Sequence, residues 1–161
     1  MITVKTLSGK FIRRWRSYIL KEKTVSTDKS IEQGTQLTPK FDANGLIPAI
    51  AQDAQTGEIL MVAYMNREAL ECTIKTGCGT YYSRSRKKLW KKGEQSGHIQ
   101  KVSQILIDCD QDCIILKVTV DSGQCHVGYQ SCFYRALKKG TTEQLEFVAE
   151  KVFDPDKIYD K

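Results

Sequence analysis

Two pairs of short apolar runs, each joined by a turn-sized link, most constrain what this chain can form. Ile47–Gln52 and Ile59–Met65 flank Asp53–Glu58, whose Thr56-Gly57 suits a turn; Gln100–Asp108 and Cys113–Val120 flank Cys109-Asp110-Gln111-Asp112. Runs of this length, bounded by turn residues and rich in Ile and Val, read as strands, so each pair predicts a β-hairpin. Thr80–Ser85 and Ser131–Leu137 read as further strands. Asn66 stands before Arg67-Glu68-Ala69-Leu70 as the N-cap of a short helix that Gly77 would end. Glu143–Phe153, with Leu145, Val148, Ala149 and Val152 on one face, predicts a terminal helix. No internal repeat is present. The pattern is that of an α+β, strand-dominated single domain with few short helices, and 161 residues suffice for one such core.

Charge divides the chain. Residues 1–23 hold seven of the 25 basic residues and one of the 19 acidic ones, so they carry the whole net charge of +6 and the remainder balances at 18 of each. The body is therefore not basic, which weakens a nucleic-acid reading. Residues 1–40 are expected to be a basic, flexible N-terminal extension, residues 41–153 the domain and residues 154–161 a C-terminal tail. Within the extension, Phe11, Ile12, Trp15, Tyr18 and Ile19 fall at helical spacing beside Arg13, Arg14 and Arg16. An organelle transit peptide is the minority alternative; a secretory signal is excluded because those arginines interrupt any apolar stretch. No apolar run approaches the roughly 18–20 residues of a membrane span, so a cytoplasmic protein without a membrane partner is expected.

Six cysteines, at 72, 78, 109, 113, 125 and 132, include no C-x-x-C pair, which argues against a zinc ribbon or a thioredoxin-type redox couple. Without a secretory signal, a disulfide framework is not expected. Cys72, Cys78 and Cys113 read as small packing residues. Cys109, Cys125 and Cys132 have more telling neighbours, and three soft ligands would leave a zinc ion one open position for water. Spacing alone leaves buried structural cysteines as the competing account. Asp108, Asp110 and Asp112 flank Cys109. On a straight strand the outer two would stand roughly 13 Å apart, but at a hairpin tip all three can converge as hard ligands for Mg²⁺. Asp is also simply a good turn residue. Only His98 and His126 are available as imidazole acids or bases.

Thr80–Gly93 interleaves basic and aromatic residues. Arg84 and Arg86, sharing a strand face at i, i+2, could fork onto phosphate with Ser83 and Ser85 as added donors. Tyr81, Tyr82 and Trp90 could stack on a base. A nucleic-acid surface and an edge strand blunted by charge fit the same composition, and all three readings stand at this point.

Together these segments resemble the phosphoribosyl-AMP cyclohydrolase family of histidine biosynthesis. The resemblance runs from about Gly45 to Tyr134 through Gly45–Asp53, Thr56-Gly57-Glu58, Ala63–Asn66, Tyr82–Arg86, Leu89-Trp90, Lys92-Gly93, Ser96-Gly97-His98, Asp108–Asp112, Cys125-His126 and Ser131-Cys132-Phe133. It implies hydrolytic opening of the purine N1–C6 bond of 1-(5-phosphoribosyl)-AMP to the formimino-carboxamide ribonucleotide, the third step of the pathway, by a zinc-activated water. It implies an intertwined homodimer with one Zn²⁺ per subunit, held across the interface by Cys109, Cys125 and Cys132, and one Mg²⁺ at Asp108, Asp110 and Asp112. His126 is expected to take the proton of the water and His98 to assist at N1. Arg84, Arg86 and Ser83 are expected to bind phosphate and Trp90 to stack on the substrate. Relatives often carry a fused phosphoribosyl-ATP pyrophosphohydrolase; here a separate protein is expected to perform that step. The rivals are a zinc-stabilised nucleic-acid module, which predicts a closed four-ligand zinc, and a metal-storage or structural dimer without turnover.

Overall fold

A computed structural model describes residues 28–159. A six-stranded mixed sheet dominates it, running from β4 (Lys88–Lys91) through β3 (Thr80–Ser83), β2 (Ile59–Met65), β1 (Ile47–Asp53) and β6 (Ile114–Thr119) to β5 (Lys101–Ile107). Both predicted hairpins form. β1 (Ile47–Asp53) pairs antiparallel with β2 (Ile59–Met65), and β5 (Lys101–Ile107) with β6 (Ile114–Thr119). They join through parallel pairing of β1 with β6, Ala49 opposite Ile114 through Asp53 opposite Val118. Alternation sends Ile47, Ala49 and Ala51 of β1, and Ile114, Leu116 and Val118 of β6, to one fully buried face. These two central strands therefore form the middle of the core.

The predicted helix is α2 (Arg67–Thr76), which follows a five-residue α1 (Asp28–Glu32). Asn66 caps α2 by accepting a 2.8 Å hydrogen bond from the Ala69 amide, a contact of a kind that contributes about 0.5–2 kcal/mol. Gly77 ends the helix in the left-handed conformation. Ala69, Leu70 and Thr73 are its buried face.

Three expectations are corrected. The strand at Thr80–Ser85 stops at Ser83 (β3, Thr80–Ser83); the chain turns through Arg84–Lys87 and returns as the edge strand β4 (Lys88–Lys91). Of Ser131–Leu137 only β7 (Arg135–Leu137) is a strand, because Ser131 and Cys132 bond to the main chain of β2 instead of a ladder partner: Ser131 Oγ donates to Ile59 O at 2.7 Å and Cys132 N to Leu60 O at 2.8 Å. The terminal helix over Glu143–Phe153 does not form. Leu145–Phe147 is β8, paired with β7, and the amides of Val152 and Phe153 donate to Gly128 O at 2.7 and 3.2 Å. The apolar spacing there had no core to face: Leu145, Val148 and Val152 are all more than half exposed. A short helix, α3 (Asp156–Tyr159), follows.

Residues 36–41 lie against the sheet and its β5–β6 tip. Gln36, Thr38 and Lys40 hydrogen-bond to Gln111, and Phe41 packs on the core. The amphipathic pattern over residues 11–19 lies outside the described residues.

Candidate functional site: an acidic tip and a thiol cleft

The link between β5 and β6 is a tight tip. Asp108 organises it, its Oδ1 accepting from the amides of Asp112 and Cys113, both at 3.0 Å, while Gln111 takes a left-handed backbone (φ 63°). The reversal gathers Asp108, Asp110 and Asp112 so that one oxygen of each lies within 4.8 Å of the others. The Asp112 carboxyl is held above its ordinary range, first by the hydrogen bond it shares with Asp108, then by the Asp110 charge; Lys40 pulls the other way. Such mutual repulsion is relieved by a divalent cation, and three hard oxygen donors fit Mg²⁺.

Cys125 and Cys132 meet elsewhere. Cys125 is buried on the loop after β6, and Cys132 shares a side-chain hydrogen bond with it. Cys132 is an exposed residue overall, but local desolvation of its thiol, then the neighbouring Cys125, push that thiol up to about 12. The loop is closed by Cys125 N donating to Tyr129 O and Gly128 N to Cys125 O, both at 3.0 Å. Gly128 must be glycine: its φ is 97°, and a Cβ there would collide with the Phe153 carbonyl oxygen.

Cys132, but not the buried Cys125 behind it, opens onto a cleft of about 590 Å³ between β2, β4 and the following loop. Trp90, His126 and Cys132 line it with four cations, Arg86, Lys88, Lys91 and Lys92, against one acid, Glu94. Trp90 is braced by Tyr81, ring centroids 5.0 Å apart. Tyr81 in turn donates to Gln100 Oε1 at 2.5 Å, and Gln100 Nε2 to Gln124 Oε1 at 3.1 Å, a buried polar chain running toward the Cys125 loop. Lys92 is only 8% exposed. Burial lowers its pKa, while Cys132 and Cys125 raise it, so its ammonium and the two sulfurs are electrostatic neighbours. The Gly93–Ile99 loop beyond it turns tightly at Gly93, where φ is 83° and a Cβ would strike the main chain of His98 and Ile99.

The chain thus brings some expected residues together and separates others. Asp108, Asp110 and Asp112 form the only such group of three among the described residues; Cys109, Cys125 and Cys132 do not. Cys109 is exposed on the tip beyond β5, one outer strand of the sheet, and the cleft lies on β4, the other. His126 lines the cleft, whereas His98 packs edge-on to Phe153 at 4.9 Å with its buried Nδ1 unpartnered. Arg84 and Arg86 do not share a strand face, since both lie in the turn. The Arg84 guanidinium sits 4.0 Å over the Tyr64 ring, while Arg86 reaches the cleft with its Nε donating to Ser83 Oγ at 3.3 Å. Sequence reasoning passed over Lys92, hidden among basic neighbours, and Gln111, a turn residue with no charge to mark it. All six cysteines are free, and no described helix is long and apolar enough to cross a membrane.

Residues 61–134 match the family model described as phosphoribosyl-AMP cyclohydrolase. The chain is 62% identical over 122 residues to the phosphoribosyl-AMP cyclohydrolase of Methanococcoides burtonii, an alignment covering 76% of this chain and 96% of that protein. It is 56% identical over 135 residues to the enzyme of that name from Rhodopseudomonas palustris, covering 81% and 89%. With the one from Chlorobium limicola it shares 51% over 137 residues, covering 85% and 98%. Identity of this depth across nearly the whole of each relative means that the chain belongs to the phosphoribosyl-AMP cyclohydrolase family.

Proposed function

We propose that this chain hydrolyses 1-(5-phosphoribosyl)-AMP at the purine N1–C6 bond, yielding the formimino-carboxamide ribonucleotide in the third step of L-histidine biosynthesis. The observation that carries the reading beyond family membership is the cleft itself: one thiol, Cys132, backed by the buried Cys125, facing an imidazole, an indole and four cations on a body whose charges balance overall. Two soft sulfurs fit zinc but leave its ligand set short. Cys109 of the partner subunit would complete it in a homodimer, and Asp108, Asp110 and Asp112 would hold Mg²⁺. Phe133, Leu137, Leu145 and Phe147, all more than half exposed beside Cys132 or on the small β7–β8 sheet, support a second copy covering this face. Zinc held there would supply Lewis acidity, which makes water a much stronger acid and so a better nucleophile near neutral pH.

The chain's own residues do the rest. Arg86, held by Ser83, and Lys88 and Lys91 bind the substrate phosphates, while Trp90 stacks on the purine. His126 takes a proton as water oxygen bonds to C6. The N1–C6 bond then breaks, N1 gains a proton and C6 becomes the carboxamide carbon. The protonated His126, which lines the cleft, returns that proton to N1; His98, packed against Phe153 with its Nδ1 buried, does not line the cleft. Lys92 offsets the negative charge of the sulfurs. The test is turnover: the purified chain given phosphoribosyl-AMP should produce the ultraviolet change of purine ring opening. A metal-replete dimer that leaves the nucleotide unchanged would contradict the proposal.

A further inference from the structure

Residues 36–40 cross the acidic tip as a strap, and a single residue holds them there. Gln111 is 4% exposed. Its Oε1 accepts from Thr38 N at 2.6 Å, its Nε2 donates to Gln36 O at 3.0 Å, and its carbonyl accepts from Lys40 N at 2.7 Å. Three bonds to one strap, made by a residue at positive φ between two of the acids, fix the main chain of Lys40 beside the cluster. Lys40 Nζ then lies 3.7 Å from Asp110 Oδ2, and among the described residues it is the one cation paired with the three carboxylates.

Resting on the reading of the tip as a divalent-cation site, we propose that Lys40 is a tethered counter-ion that competes with that cation for Asp110. An ammonium 3.7 Å from Asp110 Oδ2 and a divalent ion bound to the same carboxylate would stand close enough to repel strongly. The strap keeps the ammonium at high local concentration, so the cation must displace it. Without metal, Lys40 offsets the clustered charge; with metal, Lys40 is released toward solvent. By linkage, whatever loosens the strap tightens cation binding, and cation binding frees the lysine.

Mn²⁺ binding to the full chain, followed by electron paramagnetic resonance at low ionic strength, tests this. Lys40→Met and Lys40→Gln are expected to bind Mn²⁺ about three- to tenfold more tightly than the wild type, a gain that shrinks in high salt. In the wild type, Mn²⁺ is expected to raise the rate at which acetic anhydride modifies Lys40, read by peptide mass spectrometry. Asp110→Asn should weaken Mn²⁺ binding in every background. Unchanged Mn²⁺ affinity in both Lys40 variants, with Asp110→Asn still damaging, overturns the competition and leaves the cation site intact. No Mn²⁺ binding by the wild type overturns both.

Discussion

The acidic tip and the thiol cleft solve the same problem, gathering ligand atoms, in opposite ways. Five consecutive residues and one turn bring Asp108, Asp110 and Asp112 together, with Asp108 Oδ1 itself tying the turn. The cleft depends on a loop pinned to β2 through Ser131 and Cys132 and closed at Gly128, with Cys109 lying apart from it. A local cluster survives as long as its hairpin does. A site assembled from distant segments, and from two chains in our proposal, depends on everything that positions them. Damage at the cleft should therefore be severe and damage at the tip graded.

The largest effect is expected from Cys125→Ala, which should abolish bound zinc and lower kcat by about a thousandfold or more. Tip binding of Mn²⁺ should be unchanged; a parallel loss at both sites would break the division between them. Lys92→Met should weaken zinc about 10–100-fold, as loss of an outer-sphere partner does elsewhere, read by competition with a chelator dye. Unaltered zinc affinity would remove Lys92 from the site. Arg86→Ala should raise KM about tenfold with little change in kcat, and Arg84→Ala, parked over Tyr64, distinctly less. Equal effects would restore the two-arginine clamp that the sequence suggested.

The smallest effect is one of pH. Local desolvation and the neighbouring Cys125 push the Cys132 thiol up to about 12 in the folded chain, against 9.0 for an ordinary cysteine. Between those values the unfolded state binds fewer protons, so stability should fall as pH rises from about 9 toward 12, measured by urea denaturation. Cys132→Ala should flatten that slope.

What the sequence disclosed follows the same local–distant division. The hairpins, the Asn66 cap and the convergence of the three aspartates were legible because periodicity and turn chemistry act over a few residues. The parallel docking of β1 on β6 was not, since it joins segments whose only shared signal is that both are apolar. Leu145, Val148 and Val152 mimic a helical face by spacing, yet no core faces them and β7 claims Leu145–Phe147 as a partner. Arg84 and Arg86 were misplaced because a four-residue turn replaced a strand that composition alone would have extended. Cys109, Cys125 and Cys132 stood out by their neighbours. Their separation in one chain appears only when the strand order is known.

Subunit complementation tests the central claim, that one catalytic centre takes Cys109 from one chain and Cys125 with Cys132 from another. Cys109→Ser and Cys132→Ser should each be inactive alone. Unfolded together and refolded as mixed dimers, they should recover about a quarter of wild-type turnover, because half the dimers are mixed and each then carries one intact shared centre. If all ligands came from a single chain, every centre in the mixture would lack one cysteine, and the absence of any recovered turnover would contradict the account.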